Sequence, residues 1–182
     1  MRVIAGTAGG LRLEVPPRGV RPTMDRVKAA IFSSFGDRVA GSRVLDLFAG
    51  AGGLGIEALS RGAASAIFVE SNRASAKAIE RNLATSKSEG KVRVQDAFEF
   101  LKHVNQQFDI IFADPPYERA AASQTFTELL LNNEIIPRVL ANDGIFVLEK
   151  RPQEKLPPHP NWSVRRARKY GATEVLFLGK LK

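Results

Sequence analysis

An aspartate, two prolines and a tyrosine follow one another at Asp114-Pro115-Pro116-Tyr117, directly after the apolar run Ile110-Ile111-Phe112-Ala113. The prolines fix φ and remove two backbone N–H donors, so the segment presents carbonyl acceptors beside an acceptor-only carboxylate. A group with two N–H donors fits such an arrangement. Tyr117 adds a ring against which a flat base can stack, worth roughly 1–3 kcal/mol per base in comparable sites. Asp114, Pro115, Pro116 and Tyr117 are therefore the candidate catalytic residues, and the group they would grip is the exocyclic amine of a nucleobase. The plainer reading of the same four residues is a stiff turn with Asp114 as a helix cap.

A second motif stands upstream, where Val44-Leu45-Asp46-Leu47-Phe48-Ala49-Gly50-Ala51-Gly52-Gly53-Leu54-Gly55 runs from a strand pattern through glycines into a helical one. Gly50, Gly52 and Gly55 match the G-x-G-x-x-G spacing of a turn that lets backbone approach a nucleotide. Asp46 and Phe48 narrow that motif, because a carboxylate there can meet a cationic amino-acid group, which S-adenosylmethionine carries. Downstream, Ala64 to Glu70 reads as an apolar strand ending in an acid suited to ribose hydroxyls. Val92 to Ala97 ends in Asp96, a candidate acceptor for an adenine amine. The candidate cofactor-binding residues are thus Asp46, Phe48, Gly50, Gly52, Gly55, Glu70, Asp96 and Ala97.

Positioning four acids in this way requires four strands with their carboxyl ends on one edge. From Arg43 to Glu149, strand-like runs alternate with helix-length segments such as the one bearing Ala76, Ile79 and Leu83, and Gly144 to Glu149 forms a fifth strand. This alternation predicts a parallel, doubly wound sheet. Before it, Arg2 to Ala5 and Leu11 to Val15 read as a hairpin, and Thr23 to Phe35 carries Val27, Ala30, Ile31 and Phe35 at helical spacing. After it, Trp162 to Tyr170 and Thr173 to Leu178 read as a strand pair, with Trp162 as a packing residue.

The chain has 182 residues, of which 44% are hydrophobic and 25% charged, enough for one substantial core. There is no cysteine, which excludes disulfides and thiolate metal sites. His103 and His159 lack ligand spacing, so no metal is expected. No apolar run approaches the ~18 residues of a membrane helix, and the amino terminus lacks a signal core, so a cytoplasmic protein is expected. The formal charge of +8 is unevenly spread. Residues 1–43 carry 8 Lys and Arg against 3 acids, residues 44–149 carry 10 against 14, and residues 150–182 carry 9 against 2. An acidic middle between basic ends predicts a cationic rim for phosphates. Arg18, Arg21, Thr23, Arg26, Lys150 and Arg151 are the candidate substrate-binding residues, with Lys28, Arg165, Arg166, Arg168 and Lys169 as further members of the rim.

Taken together, Arg2-Val3-Ile4-Ala5-Gly6, Arg21-Pro22-Thr23-Met24-Asp25-Arg26-Val27, the glycine loop and the Asp-Pro-Pro-Tyr loop resemble the RsmD family of 16S ribosomal RNA (guanine-N2)-methyltransferases, within the class I S-adenosylmethionine-dependent enzymes. The resemblance covers essentially the whole chain. It implies an α/β fold with a Rossmann-like, mostly parallel sheet, an antiparallel C-terminal strand, and a small N-terminal hairpin and helix. It also implies one domain over residues 1–182, with 1–42 as an extension and 43–182 as the catalytic core. The implied cofactor is S-adenosyl-L-methionine, leaving as S-adenosyl-L-homocysteine, and the implied partner is small-subunit ribosomal RNA or the assembling particle. A monomer is expected. A DNA or other RNA amino-methyltransferase would share both motifs, and a nicotinamide-dependent oxidoreductase would share the glycine spacing and Glu70.

Overall fold

The computed structural model describes residues 1–16, 25–117, 119–121 and 124–181. Five strands run parallel: β1 (Arg43–Leu47), β2 (Ser65–Glu70), β3 (Lys91–Val94), β4 (Phe108–Ala113) and, later in the chain, β7 (Leu140–Lys150). Two short segments, β5 (Arg119–Ala121) and β6 (Gln124–Thr125), pair with each other outside the main sheet. The last strands, β8 (Trp162–Tyr170) and β9 (Thr173–Lys180), form an antiparallel pair, and β9 inserts antiparallel beside β7. The sheet order is β3-β2-β1-β4-β7-β9-β8. The chain moves outward from β1 to β3 and then returns to the other side of β1 as β4. The strand order therefore reverses between β1 and β4, where an open α/β sheet leaves a crevice at its carboxyl edge.

Both faces of the sheet are covered. Val44, Ile110, Phe112, Val147 and Phe177 face a core built with α1 (Asp25–Ser33), α2 (Gly53–Ser60), α3 (Arg73–Ser86) and the N-terminal segment. Leu45, Leu47, Ile111, Phe146 and Leu176 face the opposite core, with α4 (Ala97–His103), α5 (Phe126–Leu131) and α6 (Ile135–Val139). Strands buried on both sides read as continuous apolar runs because alternate side chains enter different cores. The layers are those expected of a Rossmann-like sheet. Trp162 is a packing residue as expected: its ring lies 5.2 Å from that of Phe146, and its Nε1–H donates to the Leu131 carbonyl at 3.0 Å.

The N-terminal hairpin differs from expectation. A single antiparallel bridge joins Arg2 and Arg12, supported by Val3 N–H to Leu11 O, Gly10 N–H to Val3 O and Leu13 N–H to Met1 O. No longer ladder forms, because the Ile4 and Ala5 amides donate instead to the buried Glu57 carboxylate on α2, at 2.7 and 3.1 Å. The segment is a strap over α2, fastened further by Ala8 N–H to Ser60 Oγ and, at Glu14, by Asn82 of α3. Helix α1 begins at Asp25, so the expected helix start at Thr23 lies outside the described residues.

Candidate active site

At the switch point, Leu47 of β1 pairs with Ala113 of β4, and Ala113 pairs in turn with Leu148 of β7. The next residue on each strand is therefore Phe48, Asp114 and Glu149, abreast along one edge at the ~4.8 Å spacing of neighbouring strands. On the β1 side the chain turns sharply. Phe48 takes φ +57°, Gly50 +56° and Gly52 +82° before α2 begins. A phenylalanine in the left-handed region is strained backbone, costing of order 1–3 kcal/mol, and such strain clusters at ligand sites.

Asp46 lies beneath this turn rather than in it. It is 2% exposed, and its Oδ2 accepts the Gly55 amide at 2.8 Å, which ties the first turn of α2 to β1. Burial pushes its pKa up to about 8, the Gly55 amide opposing and the nearby Glu70 charge adding to the rise. Gly55 serves packing, since a Cβ there would stand 2.3 Å from the Phe68 ring. Glu70, at the end of β2, accepts the Gly50 amide on Oε2 and the Asn72 amide on Oε1, at 2.8 and 2.7 Å. It therefore shapes the glycine turn. Asp96 caps α4, its Oδ1 accepting from Phe98 N–H at 2.8 Å and Glu99 N–H at 3.1 Å, and Ala97 is buried behind it. A donor set of carboxylates at the ends of three adjacent parallel strands, beside a left-handed glycine turn, fits a nucleoside with a cationic amino-acid tail.

On the β4 side, Pro115 is buried, Pro116 exposed, and Asp114 and Tyr117 half-buried. The Tyr117 hydroxyl meets Thr173 Oγ1 at 2.8 Å and Glu149 Oε1 at 3.4 Å. Its ring carries the Arg151 guanidinium 5.1 Å from the centroid. One face of the expected stacking platform is thus already covered by a cation. Pro115, Pro116, Tyr117, Phe126, Glu149 and Arg151 line a cleft of about 310 Å³. Between cleft and glycine turn stand three half-buried phenylalanines, Phe48, Phe98 and Phe126, with ring centroids 5.5 to 6.3 Å apart. The sequence reading missed Phe98, Phe126, Glu149 and Thr173. Only the Thr125–Glu128 capping box, which fixes the start of α5, offers a local signal for Phe126.

The cationic rim needs two corrections. Lys28 is fully buried: its ammonium donates to the Arg2 carbonyl and stands 3.4 Å from Glu57, and burial pulls its pKa below the lysine range. Lys150, on the two-sided strand β7, is also buried and held by the Arg151 and Glu154 carbonyls and by Glu174, at 2.7, 2.7 and 2.8 Å. Both lysines are buried and held by partners, so neither stands on the exposed rim, although Lys150 contributes to the cleft lining. Arg26 and Arg151 are exposed, and a Cβ on Gly171 would stand 3.5 Å from Arg26 Nη2, so Arg26 reaches the β8–β9 turn. Arg165, Arg166, Arg168 and Lys169 are exposed along edge strand β8, with the Arg165 guanidinium beside Gly179 and Arg166 donating to Ser34 Oγ at 3.2 Å. Arg18, Arg21 and Thr23 lie outside the described residues. Among the described residues no group of three His, Asp or Glu side chains could hold a metal ion, and no helix is long and apolar enough to cross a membrane.

Comparison with known proteins agrees with this geometry. The family model described as Conserved hypothetical protein 95 matches residues 1–179. The Ribosomal RNA small subunit methyltransferase D of Escherichia coli strain K12 is 37% identical over 175 residues, 94% of this chain and 85% of that protein. The solved structure of the Escherichia coli protein named "Putative methyltransferase yhhF" superposes with a TM-score of 0.86 at 32% identity, over 99% of this chain and 97% of that one. The Thermus thermophilus 16S rRNA N2 G1207 methyltransferase, solved with AdoMet and guanosine, superposes with a TM-score of 0.72 at 26% identity, over 91% of this chain and 44% of that one. The strand-end acids, the glycine turn and the Asp-Pro-Pro-Tyr loop thus stand in a chain that belongs to the RsmD family of methyltransferases, the family of Conserved hypothetical protein 95.

Proposed function

We propose that this protein transfers a methyl group from S-adenosylmethionine to the exocyclic N2 amine of one guanine in small-subunit ribosomal RNA. Residues 43–182 would form the catalytic core and residues 1–42 its extension, acting as a monomer in the cytoplasm. The observation that carries the reading is the pairing of Leu47 with Ala113, which brings the glycine turn and the Asp-Pro-Pro-Tyr loop to adjacent strand ends. The names of the relatives support it, one a small-subunit ribosomal RNA methyltransferase and one a 16S rRNA N2 enzyme solved with guanosine.

Bound over the turn, S-adenosylmethionine supplies an electrophilic methyl group on a sulfonium. The chain's residues then have three tasks. Asp46, Phe48, Gly50, Gly52, Gly55, Glu70, Asp96 and Ala97 fix the donor. Asp114 and the Pro115 carbonyl each accept one N–H of the amine, which draws its lone pair out of conjugation with the ring and aims it across the gap. Tyr117 holds the base, with Arg26 and Arg151 beside phosphates. Holding both reactants in near-attack geometry lowers a barrier by roughly 7–11 kcal/mol. As the N–C bond forms the S–C bond would break to release S-adenosylhomocysteine, and the proton of the methylated amine, now acidic, would pass to the Asp114 carboxylate or to water, so no strong base is needed. The base must leave its stack to enter, at a cost of a few kcal/mol, which RNA loops minimise.

The test is incubation with radiolabelled S-adenosylmethionine and, in parallel, small ribosomal particles, free small-subunit RNA and duplex DNA, followed by nucleoside analysis of the product. N2-methylguanosine from particle or RNA is expected. Label on adenine N6 or cytosine N4, or in DNA, would replace this reading with that of another amino-methyltransferase. Affinity for a nicotinamide cofactor in place of S-adenosylmethionine would make the chain an oxidoreductase.

A further inference from the structure

Resting on the reading above, we infer that Glu149 is the residue that selects guanine, by accepting the ring N1–H next to the amine that reacts. The inference starts from base chemistry. Guanine presents two adjacent donors on its Watson–Crick edge, the N2 amine and N1–H. Adenine and cytosine each present an amine beside an unprotonated ring nitrogen, an acceptor. A site that must take an amine can therefore recognise guanine with one further acceptor, and the same acceptor repels the lone pair of either competitor.

Glu149 is in position to be that acceptor. It follows Leu148, the register partner of Ala113, so it lies one strand away from Asp114 along the same edge. The residue is only 7% exposed yet belongs to the wall of the cleft formed by Pro115, Pro116 and Tyr117. Burying a carboxylate in a strand is costly unless hydrogen bonds compensate it. Here the Tyr117 hydroxyl approaches Oε1 at 3.4 Å and is itself held by Thr173 Oγ1 at 2.8 Å. Tyr117 becomes a positioning residue for Glu149 in addition to a surface for the base. Glu149 on the cleft wall and Asp114 at the neighbouring strand end, immediately before the Pro115 and Pro116 that also line the cleft, give two acceptors about one strand spacing apart for two donors on adjacent atoms of a purine.

The experiment uses the RNA or particle that the wild-type enzyme methylates, rebuilt with guanine or 2-aminopurine at the methylated position. 2-Aminopurine keeps the N2 amine but has an unprotonated N1. Wild type should disfavour it by on the order of 100-fold in kcat/KM, the effect of losing one hydrogen bond to a charged group. Glu149→Gln, whose amide can donate to an unprotonated N1, should lose guanine activity and narrow that ratio at least about tenfold, with S-adenosylhomocysteine affinity by calorimetry unchanged. Should Glu149→Gln fail to fold, which the same calorimetry reveals, the wild-type ratio alone decides. Equal rates on both bases by wild type, or a ratio unmoved in Glu149→Gln, would overturn the inference while leaving guanine methylation in place. Absence of N2-methylguanosine from the wild-type reaction would overturn the underlying reading first.

Discussion

Thr173 opens the last strand of the sheet, and its hydroxyl stands 2.8 Å from that of Tyr117, 56 residues earlier in the chain. The loop after β4 is thereby tied to β9, two strands away, through a hydroxyl pair that also touches Glu149. Tyr117→Phe keeps the ring and removes the tie. A neutral side-chain hydrogen bond contributes about 1 kcal/mol, so kcat should fall roughly 2- to 10-fold with cofactor affinity unchanged. Thr173→Val should reproduce the loss. Steady-state kinetics beside calorimetric titration with S-adenosylhomocysteine separates the two quantities, and a change confined to cofactor binding would count against the tie.

Asp114→Ala removes the carboxylate that would take one N–H of the amine. Turnover should fall by at least about 100-fold, in line with removal of one preorganised electrostatic contact in a catalytic site. The glycine turn is built from other residues, so cofactor affinity should change less than about threefold. Retained turnover per bound complex would remove Asp114 from the reaction.

The buried Asp46 makes stability depend on pH in a definite direction. Its folded pKa of about 8 lies above the ordinary 3.8, so the folded chain binds the extra proton. The contribution is fully present below pH 3.8 and is lost as pH rises towards 8, at up to about 1.4 kcal/mol per pH unit. Asp46→Asn should flatten that part of the profile. The difference in melting temperature between wild type and Asp46→Asn, followed from about pH 5 to 9, isolates this group, and parallel curves would contradict the assignment. Saturating cofactor should reduce the difference, because a bound cationic amino group favours the ionised carboxylate.

Edge strand β8 carries Arg165, Arg166 and Arg168 in exposed positions. If they meet phosphate, replacing all three with glutamine should weaken RNA binding and make its dependence on salt shallower by roughly 0.7 in log–log slope for each phosphate no longer neutralised. Filter binding at several salt concentrations reads both. An unchanged slope would leave the RNA surface to Arg26, Arg151 and the segment before α1.

Glu57 is fully buried and serves four groups: the Ile4 and Ala5 amides, Arg61 at 2.8 Å and Lys28 at 3.4 Å. Glu57→Ala strands the buried ammonium and two amides together. A loss of about 3–5 kcal/mol is expected by chemical denaturation. The double variant Glu57→Leu with Lys28→Met should recover part of it, since the unpaired charge is then gone.

What the sequence makes legible follows from how local each signal is. The strand ends at Asp46, Glu70, Asp96 and Asp114 are marked by apolar runs and glycines close by in the chain, and the structure has strands there. Trp162 and the last strand pair are readable for the same reason, whereas the antiparallel insertion of β9 follows only from the family resemblance. The losses come from partners distant in sequence. Lys28 and Lys150 look like surface cations until Glu57 and Glu174 fold against them. Phe98 and Phe126 look like ordinary helix residues until α4 and α5 bring them to Phe48. The hairpin at residues 2–15 has the alternation of a ladder, yet Glu57, 52 and 53 residues away, captures the amides that would have built it.

The sheet ends on β8, whose pairing with β9 is interrupted by a register shift between Val164 and Arg166 and whose residues from Ser163 to Lys169 are all exposed. An outermost strand offers a row of open amides and carbonyls to any other strand, which is how sheets fuse and aggregate. Here a second copy approaching edge to edge would have to bring guanidinium against guanidinium across a kinked border. On the proposed reading, the border that would repel its twin is also the one that would draw a polyanion, so one stretch of nine residues would serve both ends.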